Sequence, residues 1–344
     1  MRPSSPSLPA LRWHATHALA WLRRRDLELV LAGARDRLAS AVRSGLHACA
    51  RCARDTVMAP LLRHLPYRLL LAGARAIDVV PQHRRDARRR AAFAGLNLHQ
   101  AAGRARAGAG HARLWRHKIV LEAALYFRNR TLIQELEDCA RQLAEALRRE
   151  GAAGQPVILA PLHMHSDLLA TLMCARACAG PVAVITAHDA STVTASDEAL
   201  LKRHGGIEIR LLNPLDHGAG ELLAFLRAVR NGAGTLVAFP DAPPEATQRL
   251  FERAMRTYDC RMFGHPARVH RGLPELARLT GARVLFVCLT RRGGRFHADV
   301  AACVPADRVG ERMPDIIERA ILAHPHEWLF WHTPSLFSFN SADR

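Results

Sequence analysis

The sequence predicts an α/β protein: a mostly parallel central sheet flanked by helices, with a helical N-terminal region in front of it. Three observations carry this. From residue 151 onward, short apolar runs rich in Val, Ile and Leu alternate with amphipathic stretches across short loops, the pattern of strands and crossover helices. Before residue 151, apolar residues recur at three- and four-residue spacing without a strand-like run, which is helical periodicity. With 344 residues, 49% of them hydrophobic, the chain can bury a large core without disulfides.

The elements follow in order. Helices are expected near 10–30, 35–57, 59–78, 84–105 and 109–150, the last long enough for two, with a glycine-rich breaker at Gly103–Gly110. PVILA (156–160) reads as a buried strand, LHMHSDLLATLMCARACAG as a turn into a helix, and PVAVITA (181–187) as a second strand. SDEALLKRH is a helix, GGIEIRLL a third strand, GAGELLAFLRAVRNG a helix and GTLVAFPD (234–241) a fourth strand. After an irregular segment, a helix is expected over 266–280, then a strand (ARVLFVCLT), a glycine turn (RRGG), a strand (RFHADVAACV) and a helix (PDIIERAILAHP). The predicted organisation is a helical region over 1–80, able to lie on a membrane surface, and an α/β domain over 81–344 with a helical lead-in to residue 150.

Composition narrows the partners. The net charge is +18, and all but two of the 49 basic residues are arginine, the lysines being Lys118 and Lys202. Such a charge favours an acidic protein, an anionic membrane or nucleic acid. Nucleic acid is disfavoured because aromatics are 6% and no RNA- or DNA-binding motif appears. Eight cysteines form no disulfide framework; Cys49 and Cys52 make one C-x-x-C inside a helical pattern, which fits structural thiols in a reducing compartment. No run of 18 apolar residues occurs, so no spanning helix is expected. Residues 59–80 read as a basic amphipathic helix, suited equally to packing and to an anionic surface.

Chemistry concentrates at two predicted strand ends, where ligand sites of parallel sheets lie. His163, His165, Ser166 and Asp167 follow the first strand. His163 and Asp167 are four apart, so on one helical face the carboxylate can orient the imidazole, which then accepts a proton from an alcohol. Metal binding by the two histidines with Asp167, a serine nucleophile and a plain helix cap are the competing readings. The second cluster, FPDAPPEATQ, offers Asp241, Glu245 and Thr247 to bind a substrate hydroxyl or hold an arginine, or else it is a polar loop. A third feature is Arg268, with His270 and Arg271, near the start of a helix expected at Pro266. A phosphate could meet that helix N-terminus; an exposed basic face is the alternative.

The ordered pieces ARRRAAFAGLNLHQ, LHMHSDLL, AFPDAPPEAT, MFGHPARVHRGLPELARLTGARVLFV and HPHEWLFWH resemble the lysophospholipid acyltransferase superfamily. More narrowly, they resemble the lauroyl and myristoyl transferases that act late in lipid A biosynthesis. The resemblance implies that His163 is a general base oriented by Asp167. A hydroxyl of a lipid or glycolipid acceptor would then attack an acyl thioester carried on acyl carrier protein or coenzyme A. It implies no further cofactor or metal, and a peripheral position on the cytoplasmic side of the inner membrane. The family places four residues between its histidine and its acid; here three separate His163 from Asp167. That spacing motivates a second reading, a catalytically inactive member that binds acyl lipid or acyl carrier protein.

Overall fold

The computed structural model describes Thr56 and residues 58–74, 84–102, 108–151, 156–185, 209–212, 219–251, 255–333 and 336–337. The chain divides into two compact units, residues 1–61 and 62–344. The helices expected over 10–30 and 196–204, nearly all of 35–57, the Cys49/Cys52 pair and the boundary at residue 80 lie outside the described residues.

Helices come first, as the periodicity predicts: α1 (Ala59–His64), α2 (Tyr67–Ala74), α3 (Arg84–Ala102), α4 (Gly108–Tyr126) and α5 (Arg130–Gly151). Helix α5 buries Leu132, Leu136, Cys139, Ala140, Leu143 and Ala146, one stripe at helical spacing. Asn129 starts it: its side-chain oxygen accepts from the Leu132 amide at 3.1 Å, and its amide nitrogen donates to the carbonyls of Leu62 and Leu65. One buried side chain thus satisfies groups at two helix ends.

Next come β1 (Val157–Pro161), α6 (Asp167–Ala177), β2 (Val182–Ile185), β3 (Ile209–Leu212), α7 (Ala219–Arg230) and β4 (Thr235–Ala238). They are followed by α8 (Pro244–Phe251), β5 (Thr257–Met262), β6 (His265–His270), α9 (Gly272–Thr280), β7 (Arg283–Arg292), β8 (Arg295–Val304) and α10 (Val309–Ala323). Among the described residues, six strands form one sheet in the order β3-β2-β4-β1-β7-β8. All its pairings are parallel except β7 with β8. The protein is therefore α/β, with a mostly parallel sheet flanked by helices. Alternate strand residues face opposite layers. Ile158, Ala160, Leu236 and Phe286 pack with α3, α7, α9 and α10, while Leu159, Val237, Leu285 and Val287 pack with α4, α5 and α6.

One expected helix is corrected. Residues 265–270 are not the first turns of a helix over 266–280 but a strand paired antiparallel with β5. Phe263 and Gly264 connect the two with φ of 51° and 78°, the left-handed pair of a tight hairpin. Ala267 and Val269 are buried while their neighbours are not, the two-residue period of a strand. Helix α9 starts only at Gly272. The last helix begins earlier than its proline suggested. Pro314 lies inside α10 and has no amide hydrogen for the carbonyl four residues back; that carbonyl, of Gly310, accepts the Tyr258 hydroxyl at 2.8 Å instead.

The segment after α10 closes onto the sheet through Asn97 of α3, whose buried amide donates to the carbonyls of Trp331 and Thr333, both at 2.7 Å. An Asn97→Ala change leaves both carbonyls without this donor. We expect a loss of about 2 kcal/mol in unfolding free energy, read from urea denaturation followed by tryptophan fluorescence.

Candidate active site at the ends of β1 and β4

Strands β1 and β4 are parallel neighbours, with Ile158 opposite Leu236 and Leu159 opposite Val237. Continued past the strand ends, the same register brings His163 to Asp241. His163 Nδ1 lies 2.8 Å from Asp241 Oδ1, and the His163 backbone amide donates to Asp241 Oδ2, also at 2.8 Å. Trp328 Nε1 donates to the same Oδ2 at 2.7 Å. Asp241 is fully buried, and three donors satisfy it, as burial of a carboxylate demands.

This arrangement fixes the imidazole. With Nδ1 carrying the proton given to Asp241, Nε2 keeps its lone pair. Among the described residues, nothing hydrogen-bonds to Nε2, and the side chain keeps 15% of its surface exposed. Phe239 and Phe330 flank the ring, with centroids 4.5 and 4.7 Å away. They limit its rotation and shield it from water on two sides.

The turn carrying His163 is held from its far side too. The His165 amide donates to the Glu327 carbonyl and the Leu329 amide to the His163 carbonyl, both at 3.0 Å. His165 has a φ of 55°, a left-handed conformation that costs free energy in a non-glycine residue. Its buried ring faces Phe296 edge-on and sits 3.3 Å from Glu327 Oε2, in ion-pair reach but poorly aligned for a hydrogen bond.

Asp167 does not orient His163, as the spacing had suggested. It opens α6 and pairs with Lys118 of α4, which also pairs with Glu122. Ser166 caps α6 by accepting from the Leu169 amide, and its hydroxyl donates to Glu122 Oε1 at 2.8 Å. Burial pushes the Asp167 carboxyl up, but Lys118 and then His163 pull it down further, to a net value below the usual carboxylate range. A helix starting at Asp167 rather than at His163 explains why the four-residue spacing does not bring the two together on one face.

The other expected site residues lie on α8 and β6. Glu245 is buried in the first turn of α8, where free helix amides favour a carboxylate. Thr247 Oγ1 donates to the Pro244 carbonyl and meets His270 Nε2 at 2.9 Å, joining α8 to β6. Arg268 lies on β6, where its Nε donates to cross-strand Asp259; it is not at a helix N-terminus. Sequence reasoning missed Lys118, Glu122 and Trp328. The signal for the first two was a rare lysine with a glutamate four residues on.

Among the described residues, no group of three or more His, Cys, Asp or Glu is placed to hold a metal ion, and no helix is long and apolar enough to cross a membrane. No protein-family model matches the chain, and no curated protein matches it either.

Burial lowers the His270 pKa from its usual 6.5 to about 4. The unfolded chain therefore binds this proton at a higher pH than the folded one. The stability that His270 contributes is complete above pH 6.5 and is lost as pH falls toward 4, by up to about 3 kcal/mol. Urea denaturation across this window should show a smaller acid-induced loss in His270→Gln than in the parent chain.

Proposed function

We propose that the protein is an acyltransferase that moves a fatty acyl chain from a thioester, on acyl carrier protein or coenzyme A, to a hydroxyl of a lipid or glycolipid. The observation that carries this reading is His163 Nε2, to which no described residue hydrogen-bonds, backed through Nδ1 by buried Asp241. This is the arrangement of a general base that activates a substrate hydroxyl. The ordered resemblance to the lysophospholipid acyltransferases supports the choice of acyl transfer.

In the first step, Nε2 removes the proton of the acceptor hydroxyl as its oxygen attacks the thioester carbonyl carbon. The carbonyl π pair moves to oxygen, giving a tetrahedral oxyanion. Asp241 holds the imidazolium through Nδ1–H. When the oxyanion collapses, the carbon–sulfur bond breaks and the leaving sulfur takes the proton back from Nε2. The products are an ester and a free thiol, and His163 is again neutral. Asp241 takes the orienting role that the resemblance assigned to Asp167.

The charge suits the partners: a chain of +18 attracts an acidic carrier protein and an anionic bilayer. Leu65 and Leu69 are exposed in and beside α2, next to exposed Arg63, His64 and Arg68, a composition suited to a membrane interface.

The test supplies purified full-length protein with radiolabelled long-chain acyl carrier protein and a detergent extract of lipids. An alkali-labile labelled lipid made by the parent chain should fall about 10²–10⁴-fold with His163→Ala. Asp241→Asn should lower kcat by about a hundredfold or more, with a smaller change in KM. No labelled product from folded protein that still binds the acyl carrier protein would overturn the acyltransferase reading in favour of a binding module.

A further inference from the structure

The acyltransferase reading gives His163 its task and leaves His165, two residues on, without one. The chain folds tightly at both. The Met164 amide donates to the Leu162 carbonyl at 2.7 Å, and the Ser166 amide to the Met164 carbonyl at 2.6 Å. These are two successive three-residue turns, the first centred on His163 and the second on His165. The second is of the rarer kind, because His165 has a φ of 55°. Glycine adopts that conformation freely. In a residue with a Cβ it is strained, and such strain persists only where the surroundings impose it.

The contacts of His165 itself impose it. Its amide donates to the Glu327 carbonyl at 3.0 Å. Its ring is buried, with Nε2 3.3 Å from Glu327 Oε2 and the Phe296 ring edge-on at 5.5 Å between centroids. Both of these neighbours are held in turn. The Glu327 carboxylate accepts from the Arg291 amide through its two oxygens, at 3.3 and 3.2 Å. Phe296 stacks on Tyr67 of α2, with centroids 5.7 Å apart.

We propose that His165 is a positioning residue for His163. Its ring, clasped by Glu327 and Phe296, holds the turn that keeps His163 Nδ1 on Asp241 and presents Nε2 to the acceptor hydroxyl. This rests on His163 being the base. His165 touches neither donor nor acceptor and acts through the backbone it shares with His163.

The path from one histidine to the other is short and made of bonds. Residues 163–165 run antiparallel to 327–329, with Met164 opposite Trp328. On one side of that bridge the His165 amide meets the Glu327 carbonyl, and on the other the Leu329 amide meets the His163 carbonyl, both at 3.0 Å. The same short segment carries Trp328, whose Nε1 lies on Asp241 Oδ2, and Phe330, which packs against the His163 ring. The clasp therefore aligns two parts of the chain that must meet at one carboxylate. A glycine in place of His165 would relieve the strain but leave the turn several conformations to choose from; the anchored imidazole selects one of them.

The test reads the His163 tautomer by nitrogen NMR of the full-length protein carrying labelled histidine, at alkaline pH where imidazole is neutral. The spectrum of His163→Ala identifies the signals of His163. The parent chain should show one form, protonated at Nδ1. His165→Gly, which accepts the positive φ but lacks the ring, and Glu327→Ala should each show a mixture of the two tautomers. Each should lower kcat for acyl transfer about ten- to a hundredfold with KM little changed. The double variant should be no worse than the worse single one, because the two residues form one clasp. Loss of the Arg291 contact is common to both arms of this cycle and cancels. If the glycine variant does not fold, His165→Asn, which also tolerates a positive φ, takes its place. A parent-like tautomer in the His165 variant overturns the proposal, whatever the activity, and so do effects that add in the double variant. Mixed tautomers in the variants without acyl transfer by the parent chain overturn the acyltransferase reading and leave the positioning role standing.

Discussion

The structure of the site depends on one buried carboxylate. Asp241 has no exposure to water, so all its hydrogen bonds must come from the protein, and it draws them from two distant parts of the chain. The amide and imidazole of His163 come from the loop after β1, and the indole of Trp328 from the segment after α10. Satisfying that carboxylate fixes the imidazole tautomer, which leaves Nε2 as the acceptor. It also draws in the Trp328 segment, which places Phe330 against the imidazole. Removing any of the three donors leaves a buried charge partly unsatisfied, a larger cost than the net worth of the bond lost.

This constraint is written into the sheet before any side chain is considered. Parallel pairing of β1 with β4 sets a constant offset between the two strands, and the separation of 78 residues between His163 and Asp241 continues it. The chain crosses from β4 to β7 on the opposite side of β1, so the site lies in the crevice that such a reversal opens at strand carboxyl ends. Two rigid strands therefore deliver the His–Asp pair, while helices α4 and α6 bring the Lys118 cluster alongside.

The sheet and His163 were legible in the sequence because both are local signals. PVILA and GTLVAFPD are apolar runs that end in polar residues, and each proved to be a strand ending at the site. The partner of His163 was not legible, since helical spacing points to Asp167 and only strand register points to Asp241. The β5–β6 hairpin was missed for a related reason. His-Pro-Ala-Arg before Gly272 reads as a helix start, whereas the decisive features are the left-handed Phe263-Gly264 pair and the burial of alternate residues. Arg268 lost its expected place at a helix N-terminus with that reassignment. Trp328, which the sequence offered only as part of an aromatic block, is core, and its one polar atom is spent on Asp241.

The Trp328 contact has a consequence for the order in which the molecule can be completed. Its indole reaches back 87 residues to Asp241. During synthesis at about 5–20 residues per second, β1 and β4 are made several seconds before that indole exists. In that interval the carboxylate lacks one of its donors, and water must serve in its place.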